Sequence, residues 1–211
     1  LGSRGLGDVY KRQILGYSIA ATIVFTYVGL FGEYAVAGYG SATRIEQVVL
    51  LPILGINTAI ISIIAQNIGA KYYDRVEQSY FTSIKYGLFI MLIAGVVIFI
   101  SADIVPKFFS SNPEVIMHGS MYLKISAFIL PAYPIFFLSN GFFMALKKSE
   151  KAMVNNIARN VIVPVLSFYI AKYLNADFKT FFYIWAIFQW LISLMLLFYV
   201  KYYIKHKLAN I

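Results

Sequence analysis

The sequence predicts an all-α, polytopic membrane protein with six transmembrane helices. Three observations carry that prediction. Hydrophobic residues fill 60% of the 211 positions and charged residues only 13%, where average soluble chains carry about 25% charge. Mean hydropathy is +0.73. The apolar residues also come in runs longer than a globular core element needs. With no cysteine in the chain, disulfide scaffolds and zinc-cysteine domains are excluded. A net charge of +9 would permit nucleic-acid binding, but such proteins need a polar, charged surface. The expected partner is the lipid bilayer, and no nucleic acid.

The first residues stand apart. Ser3 to Gln13 reads SRGLGDVYKRQ, which resembles the in-frame translation of a transposon-end sequencing adapter. Residues 1–13 therefore read as an adapter-derived artefact outside the native fold, with the native reading frame expected to begin upstream of Ile14. Arg4, Lys11, Arg12 and Asp8 leave the charge balance with them.

A hydrocarbon core of about 30 Å needs about 20 apolar residues in a helix. On that measure the spans fall at about 14–31, 34–69, 80–101, 115–146, 154–172 and 179–204. The second is too long for one straight crossing and carries Pro52 midway. The fourth is expected to bend at Pro131 and Pro134, and the fifth to be interrupted at Pro164. Prolines are tolerated in membrane helices because neighbouring helices and polar side chains satisfy the freed carbonyls.

Loop charges give the orientation. Lys71 and Arg75 follow the second span, Lys147, Lys148 and Lys151 the fourth, and Lys201, Lys205 and Lys207 the sixth. The other side holds Lys107, Lys172 and Lys179 among Glu33, Asp103, Glu114 and Asp177. By the positive-inside rule both the start and the C-terminus are expected in the cytoplasm of a multi-pass protein of the cell's plasma (inner) membrane. Lys85 and Lys124 should snorkel from their spans to opposite faces.

Little in the chain supports bond-making chemistry. His118 and His206 lack a carboxylate at ligand spacing, so no metal centre, catalytic residue or triad is expected. No GxxxxGK[ST] phosphate cradle occurs, so a pump would have to be a secondary transporter or depend on a partner.

The second span holds the informative residues. Arg44 and Glu46 lie within or at the edge of the membrane, where charge is costly. At about 100° per residue, Tyr39, Thr43, Glu46 and Asn57 share one face, with Arg44 nearly opposite Glu46. Two readings stand open: a cavity lined by these groups, or Arg44 at the headgroups with Glu46 bonded to a neighbouring helix. In the fourth span Tyr122, Ser126, Tyr133 and Asn140 recur at helical or heptad spacing, as helix–helix glue or as ligand-binding groups. Tyr39, Thr43, Arg44, Glu46, Asn57, Tyr133 and Asn140 are the substrate and ion candidates. Arg159 reads as an interfacial anchor, and Gln66 with Asn67 as the cytoplasmic end of the second span. The 17 tyrosines and 18 phenylalanines can line a pocket for flat organic cations or serve as lipid-facing bulk and interfacial belt.

The run Gly38-Tyr39-Gly40-Ser41-Ala42-Thr43-Arg44-Ile45-Glu46, the bend Leu51-Pro52-Ile53-Leu54-Gly55 and the exit Gln66-Asn67-Ile68-Gly69-Ala70 resemble the eighth helix of multidrug and toxic-compound extrusion (MATE) transporters. Ala145 to Ala152, followed by Arg159 and Pro164, is similar to the family's tenth-to-eleventh helix junction. The resemblance implies one lobe of a twelve-helix transporter, helices seven to twelve, whose N-terminal lobe is the missing partner. It implies a rocking, alternating-access antiporter that exports organic cations or drugs in exchange for Na⁺ or H⁺, with no other cofactor. Some members carry carboxylates on helices seven and ten. Residues 14–31 and 115–146 hold none, so the resemblance points to coupling through the other lobe, with Glu46 the one intramembrane carboxylate here to assist. A lipid-linked oligosaccharide or peptidoglycan-precursor flippase of similar fold and a non-transporting membrane assembly subunit are the alternatives.

Overall fold

The computed structural model describes residues 21–208. The adapter-like stretch 3–13 and the first part of the span 14–31 lie outside the described residues. Helix α1 covers 21–29, α2 Glu33–Val49, α3 Leu51–Gly69 and α4 Tyr73–Ser101. After a 3₁₀ turn at Val105–Phe108 come α5 (Pro113–Ile129), α6 (Ala132–Ala145), α7 (Ser149–Ile157), α8 (Val163–Tyr173) and α9 (Phe178–Tyr203). Short π-helical segments follow α7 at Ala158–Ile162 and α9 at Ile204–Leu208. The described residues contain no β-strand.

Helix ends have local causes. Asn112 Oδ1 accepts from Glu114 N–H at 2.9 Å, ahead of Pro113 at the first helical position of α5; Asp177 Oδ1 accepts from Thr180 N–H at 3.0 Å and caps α9. Both side chains replace a partner that the first turn of a helix lacks. At the other ends, Lys71, Lys147 and Asn175 take φ of 60°, 58° and 49°. Each is followed by a six-to-one bond that closes α3, α6 or α8: Tyr72 N to Asn67 O, Lys148 N to Phe143 O and Ala176 N to Ala171 O, at 2.8–2.9 Å. Left-handed residues terminate helices in this way.

Leu51–Gly69, Tyr73–Ser101, Ser149–Tyr173 and Phe178–His206 are each long and apolar enough to cross a membrane, and α5 with α6 makes a fifth such span bent by 54°. Each of these five overlaps one predicted stretch, whereas the first stretch, 14–31, is described only from residue 21, with α1 at 21–29. Three proline expectations had three outcomes. Pro131 and Pro134 accompany the predicted bend. The indole Nε1 of Trp190 on α9 donates at 2.9 Å to the Phe128 carbonyl, beside that break, as a bilayer interior requires. Pro52 sits just after an interruption at Leu50, so the predicted 34–69 span is two helices. Pro164 does not interrupt its span. Val163 N–H reaches back to Ala158 O, and this wider π turn relieves the clash between a proline ring and the preceding helical turn.

The bent pair α5–α6 is the centre of the lobe. Helix α2 packs along α5, α3 along α6, and α4 and α9 touch both. Close approach depends on small residues. A Cβ on Gly38 would lie 2.6 Å from Val115 O and 2.8 Å from Gly119 N, and one on Gly95 would lie 2.7 Å from Ala127 O. Two apolar clusters fill the lobe. One joins Val24, Tyr27, Tyr39, Tyr122, Phe181 and Phe182; the other joins Ile64, Tyr80, Phe136, Phe142, Val200 and Tyr203.

Lys124 reaches past its span to the loop after α4, where its Nζ sits 2.7 Å from Asp103 Oδ2. The Ser120 hydroxyl also donates to Asp103. The Lys124 bond foremost, then that of Ser120, holds the Asp103 carboxyl below its ordinary 3.8. The Thr180 bonds do the same for Asp177.

Two outcomes are expected. Gly38→Ala forces a methyl into the Val115 backbone and should destabilise the chain by about 1–3 kcal/mol. Gly55→Ala, whose methyl meets nothing within 4 Å, should not destabilise it; thermal unfolding in detergent separates the two. The stabilisation from Asp103 and Asp177 is full above the ordinary carboxylate value of 3.8 and is lost as pH falls through their lowered values. Unfolding temperatures measured between pH 6 and pH 3 (about neutral to below the carboxylate range) should therefore fall less in a D103N/D177N variant than in the parent chain.

Candidate functional site

The last turns of α2 place Tyr39, Thr43, Glu46 and Gln47 along one wall of a cleft of about 250 Å³. Ala21 and Val24 of α1, Leu50 after α2, Tyr122 of α5, Tyr133 of α6, Arg159 and Asn160 of the π segment, Pro164 of α8 and Trp185 of α9 complete its lining. Seven elements thus meet where α2 and α5 end and α7 passes into its π turn.

Glu46 is buried at 6% exposure. Each of its oxygens accepts a phenol O–H: Oε2 from Tyr122 and Oε1 from Tyr133. A hydrogen bond to a charged group contributes about 1.5–3 kcal/mol, and an acidic or basic side chain at a helix centre costs about 2.5–3.5 kcal/mol to insert. Two such bonds offset a cost of that size.

Arg159 is equally buried. Its Nε donates to Gln189 Oε1 of α9 at 2.6 Å. Its guanidinium lies 4.4 Å from the centroid of the Tyr133 ring, 4.3 Å from that of Phe136 and 5.5 Å from that of Phe137. Cation–π contact of this kind strengthens when water is excluded. Tyr133 therefore joins the two charges, its hydroxyl on Glu46 and its ring against Arg159. Behind them stands an aromatic wall. Tyr39 meets Tyr122 edge-on at 4.9 Å and stacks on Phe182 at 5.3 Å, while Phe182 stacks on Trp185 at 5.8 Å.

Of the residues proposed from sequence, Tyr39, Thr43, Glu46 and Tyr133 come together here. Glu46 faces the cleft and also bonds to two neighbouring helices. Arg44 does not line the cleft; it is exposed, because it lies nearly opposite Glu46 on α2. Asn57 also leaves the stripe. The interruption at Leu50 ends the single helical face that linked it to Glu46, and α3 packs on α6, setting Asn57 Oδ1 against Gly141. Asn140 is buried but accepts from Asn155 Nδ2 at 3.2 Å, and it lies outside the cleft lining.

Arg159 requires the opposite correction. The sequence suggested an interfacial anchor, whereas the π turn before Pro164 carries it into the cleft. Gln189, Asn160 and Trp185 were not singled out from sequence. An arginine within an apolar run was the available signal for Arg159; its pairing with Gln189, from a helix 30 positions away, left none.

The chain resembles known proteins in both sequence and fold. It is 26% identical over 168 residues to the "Probable multidrug resistance protein YpnP" of Bacillus subtilis, covering 80% of this chain and 36% of the relative. It is 26% identical over 149 residues to "Multidrug export protein MepA" of Staphylococcus haemolyticus (70% and 33%), and 23% identical over 145 residues to the "FAD transporter" of Shewanella oneidensis (69% and 32%). The chain thus spans about a third of the length of these curated relatives. Among solved structures it matches a MATE in complex with MaL6 with a TM-score of 0.89 and 20% identity, over 97% of this chain and 46% of that one. An outward-facing multidrug resistance MATE family transporter of the MOP superfamily matches with a TM-score of 0.88 and 21% identity, over 94% and 45%. These likenesses show the fold of a polytopic membrane transporter lobe. The MatE family model matches residues 13–169, and the chain belongs to the MatE family.

Proposed function

We propose that this chain is the C-terminal lobe of a secondary active antiporter, not an enzyme, and that it exports organic cations or drugs in exchange for Na⁺ or H⁺ by rocking between two access states. One observation carries the reading: a MatE-family lobe buries Glu46 in an aromatic-lined cleft, held by two tyrosine hydroxyls. A carboxylate held by releasable donors suits exchange of a proton or a small cation. The aromatic wall suits flat, cationic compounds.

In this reading a second lobe faces the cleft and completes the substrate path. Lys71 and Arg75 after α3, the lysine-rich turn after α6 and the basic end of α9 support a cytoplasmic C-terminus in the plasma membrane. The flippase alternative calls for a more cationic cavity. Arg44 is exposed and cannot supply that charge, and Arg159 is matched in the cleft by Glu46.

Ethidium efflux by the full-length transporter in energised cells, under separate Na⁺ and proton gradients, tests the proposal. Glu46→Gln should lower gradient-driven efflux about tenfold or more, the equivalent of one charged hydrogen bond. Tyr133→Phe should lower it less, and Arg44→Gln should leave it unchanged. Unaltered efflux in Glu46→Gln would remove Glu46 from coupling.

A further inference from the structure

The lysine-rich turn between α6 and α7 is held against the last turns of α9 by contacts that the transport reading does not use. Lys148 Nζ donates to the Tyr203 hydroxyl, and Lys151 Nζ to the Tyr199 hydroxyl. Both ammonium groups also approach one ring: they lie 4.8 and 5.0 Å from the centroid of Tyr203. Lys151 is 4.8 Å from the Tyr199 ring and 5.5 Å from that of Phe143. Neither lysine pairs with a carboxylate among the described residues, and Glu150 between them in sequence is exposed.

Two like charges drawn to one buried aromatic ring repel each other. Ring faces and phenol oxygens offset part of that repulsion but supply no negative charge. An anion at this point would neutralise both lysines. Phosphate fits the donor set well, because it offers several acceptor oxygens to two ammonium groups, and a phenol that accepts from lysine keeps an O–H to donate. The surroundings decide what carries the phosphate. Met195, Phe198 and Tyr202 share the Tyr199 side of α9 and are 69%, 66% and 55% exposed. They form an apolar strip that runs from the cluster down a membrane span. A free phosphate would leave that strip bare, whereas a phospholipid would use both parts.

We propose that Lys148, Lys151, Tyr199 and Tyr203 form a site for the headgroup phosphate of an anionic phospholipid, whose acyl chain lies along the exposed strip of α9.

Native mass spectrometry of the full chain in detergent tests this, with phosphatidylglycerol, phosphatidylcholine and glycerol phosphate added in separate arms. Phosphatidylglycerol should be retained in preference to the other two. Lys148→Gln and Lys151→Gln should each lower its retention about fivefold, the effect of one basic residue on an anionic membrane surface. Lys172→Gln, at the far end of α8, should not lower it. Equal retention by the double variant would overturn the site, and glycerol phosphate bound as well as phosphatidylglycerol would overturn the lipid. A salt titration of the unsubstituted chain is independent of variant folding. Retention of phosphatidylglycerol should fall with rising salt, and salt-insensitive retention would also overturn the proposal.

Discussion

A carboxylate inside a bilayer must find its donors within the protein, and Glu46 finds them on two different helices. Tyr122 approaches from α5 and Tyr133 from α6, so the acid fixes both halves of the bent span against α2. Tyr133 passes the constraint on, because its ring also faces the Arg159 guanidinium. Arg159 in turn binds Gln189 and so connects α9. A chain of polar contacts therefore links α2, α5, α6, the π segment and α9 through a region where apolar packing alone would give little directional preference. The same rule governs the backbone. Where the α5–α6 break frees the Phe128 carbonyl, Trp190 supplies a donor from α9.

Much of this was legible in the sequence, and what was missed has physical causes. Apolar run length marked the spans because hydrocarbon thickness sets helix length. Tyr39, Thr43 and Glu46 were legible as a group because they lie within one continuous helix. Asn57 was placed with them by extending that helix through Leu50, and the interruption removes the common face. Pro164 was expected to break a helix, but a π turn absorbs a proline without breaking it, and nothing local distinguishes the two outcomes. Arg159 was misplaced for the same reason, since its direction depends on that turn. Contacts between distant positions, such as Arg159 with Gln189, leave no periodic trace in one sequence.

The glycines show how tightly the upper half is tied. Gly38 brings the α2 backbone against that of α5, and Gly95 brings α4 against the same helix. Backbone-to-backbone contact leaves no side chain to yield, so neither glycine has room for a methyl group.

The two interruptions, at Leu50 between α2 and α3 and at Leu130 between α5 and α6, divide neighbouring helices at a common level. Helix α2 packs on α5 above it and α3 on α6 below. Glu46 and Tyr122 both belong to the upper pair, whereas Tyr133 belongs to the lower. Flexing the lobe about this level would therefore carry Tyr122 along with the carboxylate while drawing Tyr133, and the guanidinium behind it, away. Of the two phenol bonds, one lies within the upper pair and the other crosses the joint.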